Sequence, residues 1–247
     1  MQLSAAQSKP GFYRVLFFVP SACVIAAVLA GCSASSSTLQ GMVSRYVLPG
    51  DPLAQAKLDP RLRYLRVDTS QGGAALMALG YLDPVKDDPQ GAPEEVWYSA
   101  SKEVLRLRHG RLAGATGLPR EWRDVSFSAV PSWRSVLERP SLGSYQRVRD
   151  SMPGALTGVK DSVTIRPIAP PGKTLVPVQV PASVQWFEEV ADTRPPAAQL
   201  PASLFAVDLS NGAERVVYSQ QCLAADLCLA LRPVAAAAPA PAAAASR

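Results

Sequence analysis

The chain has 247 residues, is 48% hydrophobic and carries a formal charge of +5 at pH 7. That length and apolar content suit one large or two small domains with a buried core and exclude a wholly disordered chain. A single histidine excludes a zinc site built on two His ligands.

The first 31 residues read as an export signal. Lys9 and Arg14 supply the positive start, Val15–Leu29 the apolar run, and Ala30-Gly31 the small-residue cleavage site. The run carries Pro20 and falls short of the ~20 residues that span a bilayer. Leu29-Ala-Gly-Cys32 resembles the bacterial lipobox. That resemblance implies transfer of a diacylglycerol to the Cys32 thiol, cleavage before Cys32 and acylation of the new amino group. Several acyl chains anchor a soluble domain stably, at about 0.8 kcal/mol per buried methylene. Ser33, rather than Asp, follows the cysteine. By analogy with Gram-negative lipoproteins, this places the protein on the periplasmic face of the outer membrane. Cleavage removes Lys9 and Arg14 from the +5 total and leaves +3. So small a charge on an exported protein argues against a nucleic-acid partner.

Residues 32–40, the lipidated cysteine and Ser33–Thr38 behind it, are expected to be a flexible tether. Residues 39–58 suggest a short helical or irregular lead-in. From Leu62 the pattern changes to short runs punctuated by Pro and Gly, the all-β signal. The 23 prolines of the whole chain oppose long helices, since each removes a donor and blocks the preceding turn. Expected strands are Arg61–Asp68, Ala75–Tyr81, Glu94–Ser99, Asp124–Ser128, Gln146–Asp150, Ser162–Pro167, Leu175–Val180 and Ser183–Val190, together with two hairpins. The fold class is therefore all-β, a predominantly antiparallel sandwich or open barrel, with minor helix near the N-terminus.

The first hairpin joins Glu103–Arg108 to Arg111–Ala115 through His109-Gly110. It sets Leu107 opposite Leu112 and Arg108 opposite Arg111, with Arg106 on the arginine side. Like charges directly opposite cost stability, so Arg106, Arg108 and Arg111 are candidates to meet an acidic polysaccharide or an acidic partner. The second hairpin, Leu204–Ser210 with Ala213–Ser219, turns at Asn211-Gly212, a strong short hairpin signal. It implies the pairs Val207–Val216, Phe205–Tyr218 and Asp208–Arg215. Beyond it, Cys222 and Cys228 are the cysteines left once Cys23 departs with the signal and Cys32 is acylated. An oxidising compartment favours a bond between them. Neither a helix nor one extended strand brings residues six apart close enough, so the bond requires a turn within Leu223–Leu227. Residues 233–247 are dominated by Ala and Pro and read as a disordered tail.

Chemistry is sparse. His109 at a hairpin tip is better placed as a turn residue than as a catalyst. Glu188 and Glu189 point to opposite faces of a strand, so they cannot flank one sugar bond, and both are expected to be solvated. Trp122 and Trp133 sit among Arg120, Arg123 and Arg134, which makes them candidates for glycan or partner contact at the surface. No metal ligand set or cofactor motif is legible.

A series of segments gives a further expectation. Glu95-Val-Trp-Tyr-Ser-Ala100, Gly110-Arg-Leu-Ala-Gly-Ala-Thr-Gly-Leu118 and Arg149-Asp-Ser-Met-Pro-Gly154 come first. Phe187-Glu-Glu189 and Phe205-Ala-Val-Asp208, then Gly212 and Val216-Val217, follow in order. This succession behind a lipobox resembles the YjbF/GfcB family of exopolysaccharide- and capsule-associated lipoproteins. The likeness covers roughly residues 40–232 and departs at the Cys222/Cys228 segment and the Ala/Pro tail. It implies a β-domain over residues 41–232 and a non-enzymatic role in exopolysaccharide or capsule assembly or export. The implied partners are polysaccharide-export proteins, beside the acidic polysaccharide suggested by the arginine face, with no active-site residue to carry over. The alternatives are a polysaccharide-modifying hydrolase using a carboxylate pair, or a structural envelope lipoprotein.

Overall fold

A computed structural model describes residues 56, 58–86 and 91–234. The expected signal peptide, Cys32, the tether, most of the lead-in helix and most of the tail lie outside the described residues. Twelve strands form one antiparallel sheet closed on itself, β1 pairing with both β2 and β12. The strands are β1 (Tyr64–Thr69), β2 (Ala74–Asp83), β3 (Glu94–Ser99), β4 (Val104–Arg108), β5 (Arg111–Thr116) and β6 (Glu121–Phe127), then β7 (Ser144–Met152), β8 (Leu156–Ile168), β9 (Gln185–Arg194), β10 (Ser203–Asp208), β11 (Arg215–Ala224) and β12 (Leu227–Val234). A short helix, α1 (Trp133–Glu138), sits between β6 and β7. The all-β reading holds. The architecture is a closed barrel, not a sandwich or an open barrel, and closure removes the free sheet edges.

Alternation is plain in β4, β7, β8 and most of β9. In β8, Val159, Asp161, Val163 and Ile165 are buried while Lys160, Ser162, Thr164 and Arg166 are exposed. The inward side chains form two apolar clusters. One gathers Leu65, Met77, Trp97, Leu105, Trp122 and Leu223; the other gathers Trp133, Val136, Tyr145, Ile165, Phe187 and Phe205. A third cluster lies on the outer face, where Trp186, Ala206, Tyr218 and Ala230 are covered by Leu175, Val176, Val178 and Val180. Those covering residues belong to the expected strand Leu175–Val180, which is instead a strap. Pro177 and Pro181 lack the N–H that a ladder requires, and the apolar side chains go down onto the sheet.

The His109-Gly110 turn has positive φ at both residues, 52° and 76°, and pairs Leu107 with Leu112 and Arg108 with Arg111 as expected. Gly110 is required twice over: a Cβ there would lie 2.4 Å from Val216 Cγ2. In the second hairpin Val207–Val216 and Asp208–Arg215 pair as expected, but a bulge after Ala206 sets Phe205 opposite Ser219 and Ala206 opposite Tyr218. Tyr218 is thereby turned to the outer face, against Trp186 at 5.8 Å. Cys222 and Cys228 pair across β11 and β12 and are joined by a disulfide, with the turn at residues 225–226. β12 was not foreseen as a strand, and it runs through Val234, two residues into the stretch read as tail.

The two ends of the barrel differ. At one end most connections are tight, and the longer one (residues 195–202) folds inward so that Leu200 joins the core. At the other end lie the connections 84–93, 128–143, 169–184 and 209–214, and there the described chain enters β1 and leaves β12. Long loops on a rigid scaffold are where binding residues concentrate.

Candidate functional site

Twelve strands enclose more room than the eight whose lumen side chains alone just fill. Trp and Arg take up the difference. Arg147, Arg149 and Arg111 project inward from β7 and β5 and are 6%, 1% and 1% exposed. Asp161, fully buried, accepts from Arg147 Nε (2.7 Å), Arg149 Nε (2.8 Å) and Thr193 Oγ1 (2.7 Å). The guanidiniums of Arg147 and Arg149 lie 4.8 and 4.9 Å from the Trp122 ring. Trp122 in turn donates its indole N–H to the Leu223 carbonyl.

A second group forms nearer the loop-rich end. Arg111 donates to Glu189 Oε1 (2.7 Å), and Tyr145 donates its hydroxyl to Glu189 Oε2 (2.9 Å). The Arg111 guanidinium stacks 3.9 Å from the Trp133 ring. Burial, reinforced by the Glu189 charge, pushes the Tyr145 phenol well above its usual range, so it remains a donor. Asp161 is saturated with structural partners, and each oxygen of Glu189 holds one. A buried ion pair of this kind is costly to break and adds little net stability, but it fixes which groups face which.

These contacts relocate the sequence candidates. Trp122 and Trp133 are 1% and 2% exposed, because the indole rings are needed to fill the lumen beneath the arginines. Arg111 is inside and paired. Arg106 stays at the surface but donates to Glu94 (2.8 Å) with Asp83 at 3.8 Å. Arg108 lies over the Phe127 ring at 4.4 Å. The three arginines therefore do not form a wet basic face. Glu188 pairs with Arg166 on the outside, as alternation requires, but Glu189 is buried and not solvated. The signal that was available for Glu189 was its phase, shared with Phe187 and Ala191.

At the loop-rich end a cleft of about 570 Å³ opens between the ends of β1, β3, β12 and the β4–β5 and β10–β11 turns. A side hollow of about 220 Å³ shares Ala92, His109 and Glu214 with it and reaches Arg111 and Trp133. The cleft itself, at about 570 Å³, falls in the ~300–1,000 Å³ range of ligand sites. Leu62 and Leu82 on its rim are 44% and 47% exposed. Glu214 accepts from the backbone N–H of Trp133 (3.0 Å) and of Arg134 (2.9 Å), seating α1 across this end. Glu95 pairs with Arg63, whose guanidinium lies 5.6 Å from the Trp97 ring. Among the described residues, three buried side-chain nitrogens lack a hydrogen-bond partner: Trp97 Nε1, Arg111 Nη2 and Arg232 Nε. The first two belong to residues lining the cleft and its hollow. Sequence reading missed this site because its wall is assembled from six strand ends and loops far apart in the chain. Among the described residues no cluster of three or more His, Cys, Asp or Glu is placed to hold a metal.

Among curated protein sequences none matches the chain. Among solved structures, the hypothetical lipoprotein YmcC from Escherichia coli K12 is similar in fold. Its TM-score is 0.52 at 16% identity, with 83% of this chain and 100% of that one covered. The sequence model of one family, described as "Group 4 capsule polysaccharide lipoprotein gfcB, YjbF", matches residues 59–230, which take in eleven of the twelve strands and half of the last. On that match the chain belongs to the YjbF family of capsule polysaccharide lipoproteins.

Proposed function

We propose that this chain is a membrane-anchored lipoprotein of the cell envelope that assists exopolysaccharide or capsule assembly or export by contact, without catalysing a reaction. The observation that carries the reading is the family match over residues 59–230 behind Leu29-Ala-Gly-Cys32. Residues 1–31 are removed, Cys32 is acylated and holds the barrel to the bilayer, and Ser33 directs it to the periplasmic face of the outer membrane. The disulfide suits that oxidising compartment. A non-enzymatic role is supported by the carboxylates. Asp161 and Glu189 are committed inside the barrel, Glu214 caps α1, and Glu95 is paired with Arg63. The carboxylate-pair hydrolase draws no support from that arrangement. Export proteins remain the proposed partners, and the contact surface is the loop-rich end rather than the β4–β5 arginines.

The test is deletion of the gene, reading the amount and chain length of surface polysaccharide. Loss or shortening of the polymer is expected. Unchanged polymer removes the basis of the reading.

A further inference from the structure

Going deeper into that reading, and resting on it, we infer that the cleft at the loop-rich end binds an uncharged, hydroxyl-rich saccharide segment. Its walls offer both halves of what a sugar hydroxyl needs. Trp97 lines the cleft and Arg111 the adjoining hollow, and each keeps a buried donor without a partner, Trp97 Nε1 and Arg111 Nη2, just behind that lining. Leaving a buried donor unmade costs about 1–3 kcal/mol, so a partner brought by a ligand is favoured. Glu214 and Glu95 supply carboxylate acceptors on the same walls. Glu214 has two bonds in place, about half of what a carboxylate can accept.

The charge balance selects against an acidic ligand. Arg63 is tied to Glu95, Arg215 to Asp208 and Arg111 to Glu189, while Glu214 adds a further negative charge to the wall. An anion would meet carboxylates whose counter-charges are already used. A hydroxyl donates to the carboxylates and, once the wall side chains give way to it, accepts from the buried nitrogens behind them. The exposed rim side chains Leu62 and Leu82 suit the C–H faces of a pyranose. A peptide is the weaker fit, because a closed sheet has no edge to which a strand could add.

The indole N–H of Trp97 is the reporter. Full-length lipoprotein with ¹⁵N-labelled tryptophan is purified in a detergent that has no sugar headgroup. It is titrated with neutral hexose hexamers (gluco-, manno- and galacto-) and with hexagalacturonate. The Trp97 signal, assigned with Trp97→Phe, is expected to shift saturably with a neutral hexamer and at least about tenfold more weakly with the acidic one. The Trp122 indole, bonded to the Leu223 carbonyl, is the internal control and should stay still. Leu82→Arg, at an exposed rim position, blocks the cleft without touching the core and should abolish the shift. A Trp97 signal that stays still up to about 10 mM of every sugar, prefers the acidic hexamer, or moves only with an unstructured peptide overturns the inference. If gene deletion nevertheless alters surface polysaccharide, the export reading stands and only the saccharide site falls.

Discussion

The buried Asp161 gives the sharpest test of what holds the barrel together. Asp161→Asn keeps the shape and removes the charge that Arg147, Arg149 and Thr193 share. The amide oxygen still accepts a bond, but its nitrogen is a donor facing donors, and two guanidiniums remain in the lumen without their counter-ion. Breaking a buried pair by removing one partner costs about 3–5 kcal/mol, a large share of the 5–15 kcal/mol of a typical domain. With a urea slope of about 2 kcal/mol per molar, the unfolding midpoint should fall by roughly 1.5–2.5 M. Trp122 lies 4.8 and 4.9 Å from the two guanidiniums, so its fluorescence reports the transition. The pH dependence has a definite sign. Burial alone would raise the Asp161 pKa, but the bond from Arg149 and the charges of Arg147 and Arg149 outweigh it and hold it below the usual carboxylate range. The unfolded chain therefore binds the proton first. The contribution is full above the unfolded value of about 4 and is lost as pH falls through the folded one. The variant should lack this acid-labile component. A midpoint shift below about 0.5 M at neutral pH, or an unchanged acid profile, refutes the reasoning.

Other outcomes follow from single contacts. Gly110→Ala forces a Cβ toward Val216 at positive φ and should cost about 2–4 kcal/mol, read as a lowered thermal midpoint. Replacing Cys222 and Cys228 by serine opens a six-residue link and should cost about 2 kcal/mol, with the β11–β12 amides still protected from exchange. Glu214→Ala removes two acceptors from the start of α1. The loss should be about 1 kcal/mol, with faster hydrogen exchange at Trp133 and Arg134.

How much was legible in the sequence differs from element to element. Glu94–Ser99 is matched residue for residue, because Val96-Trp97-Tyr98 are strong strand formers and Pro93 bounds the run on its N-terminal side. The β4–β5 register was readable from the turn, since His109-Gly110 tolerates positive φ and fixes what lies opposite what. The bulge after Ala206 was not readable, and one extra residue moved Tyr218 to the other face. The strap had strand-like apolar spacing, and only its prolines spoke against a ladder. α1 is a single turn and a half capped by Ser132, too short to show a helical period. Arg111 reads in sequence as surface charge, and nothing there singles out Arg147 or Arg149, because Arg and Asp are seldom buried unless paired and the pairing joins residues of different strands. The cleft was hidden for the same reason.

The measurement that bears most directly on the central claim is quantitation of surface polysaccharide in a deletion strain complemented by either the wild-type chain or Cys32→Ser. The wild-type chain should restore polymer amount and length, and the unanchored variant should be released from the membrane and fail to restore them. Polymer unaffected by deletion, or full restoration by a Cys32→Ser chain that is no longer membrane-bound, contradicts the account.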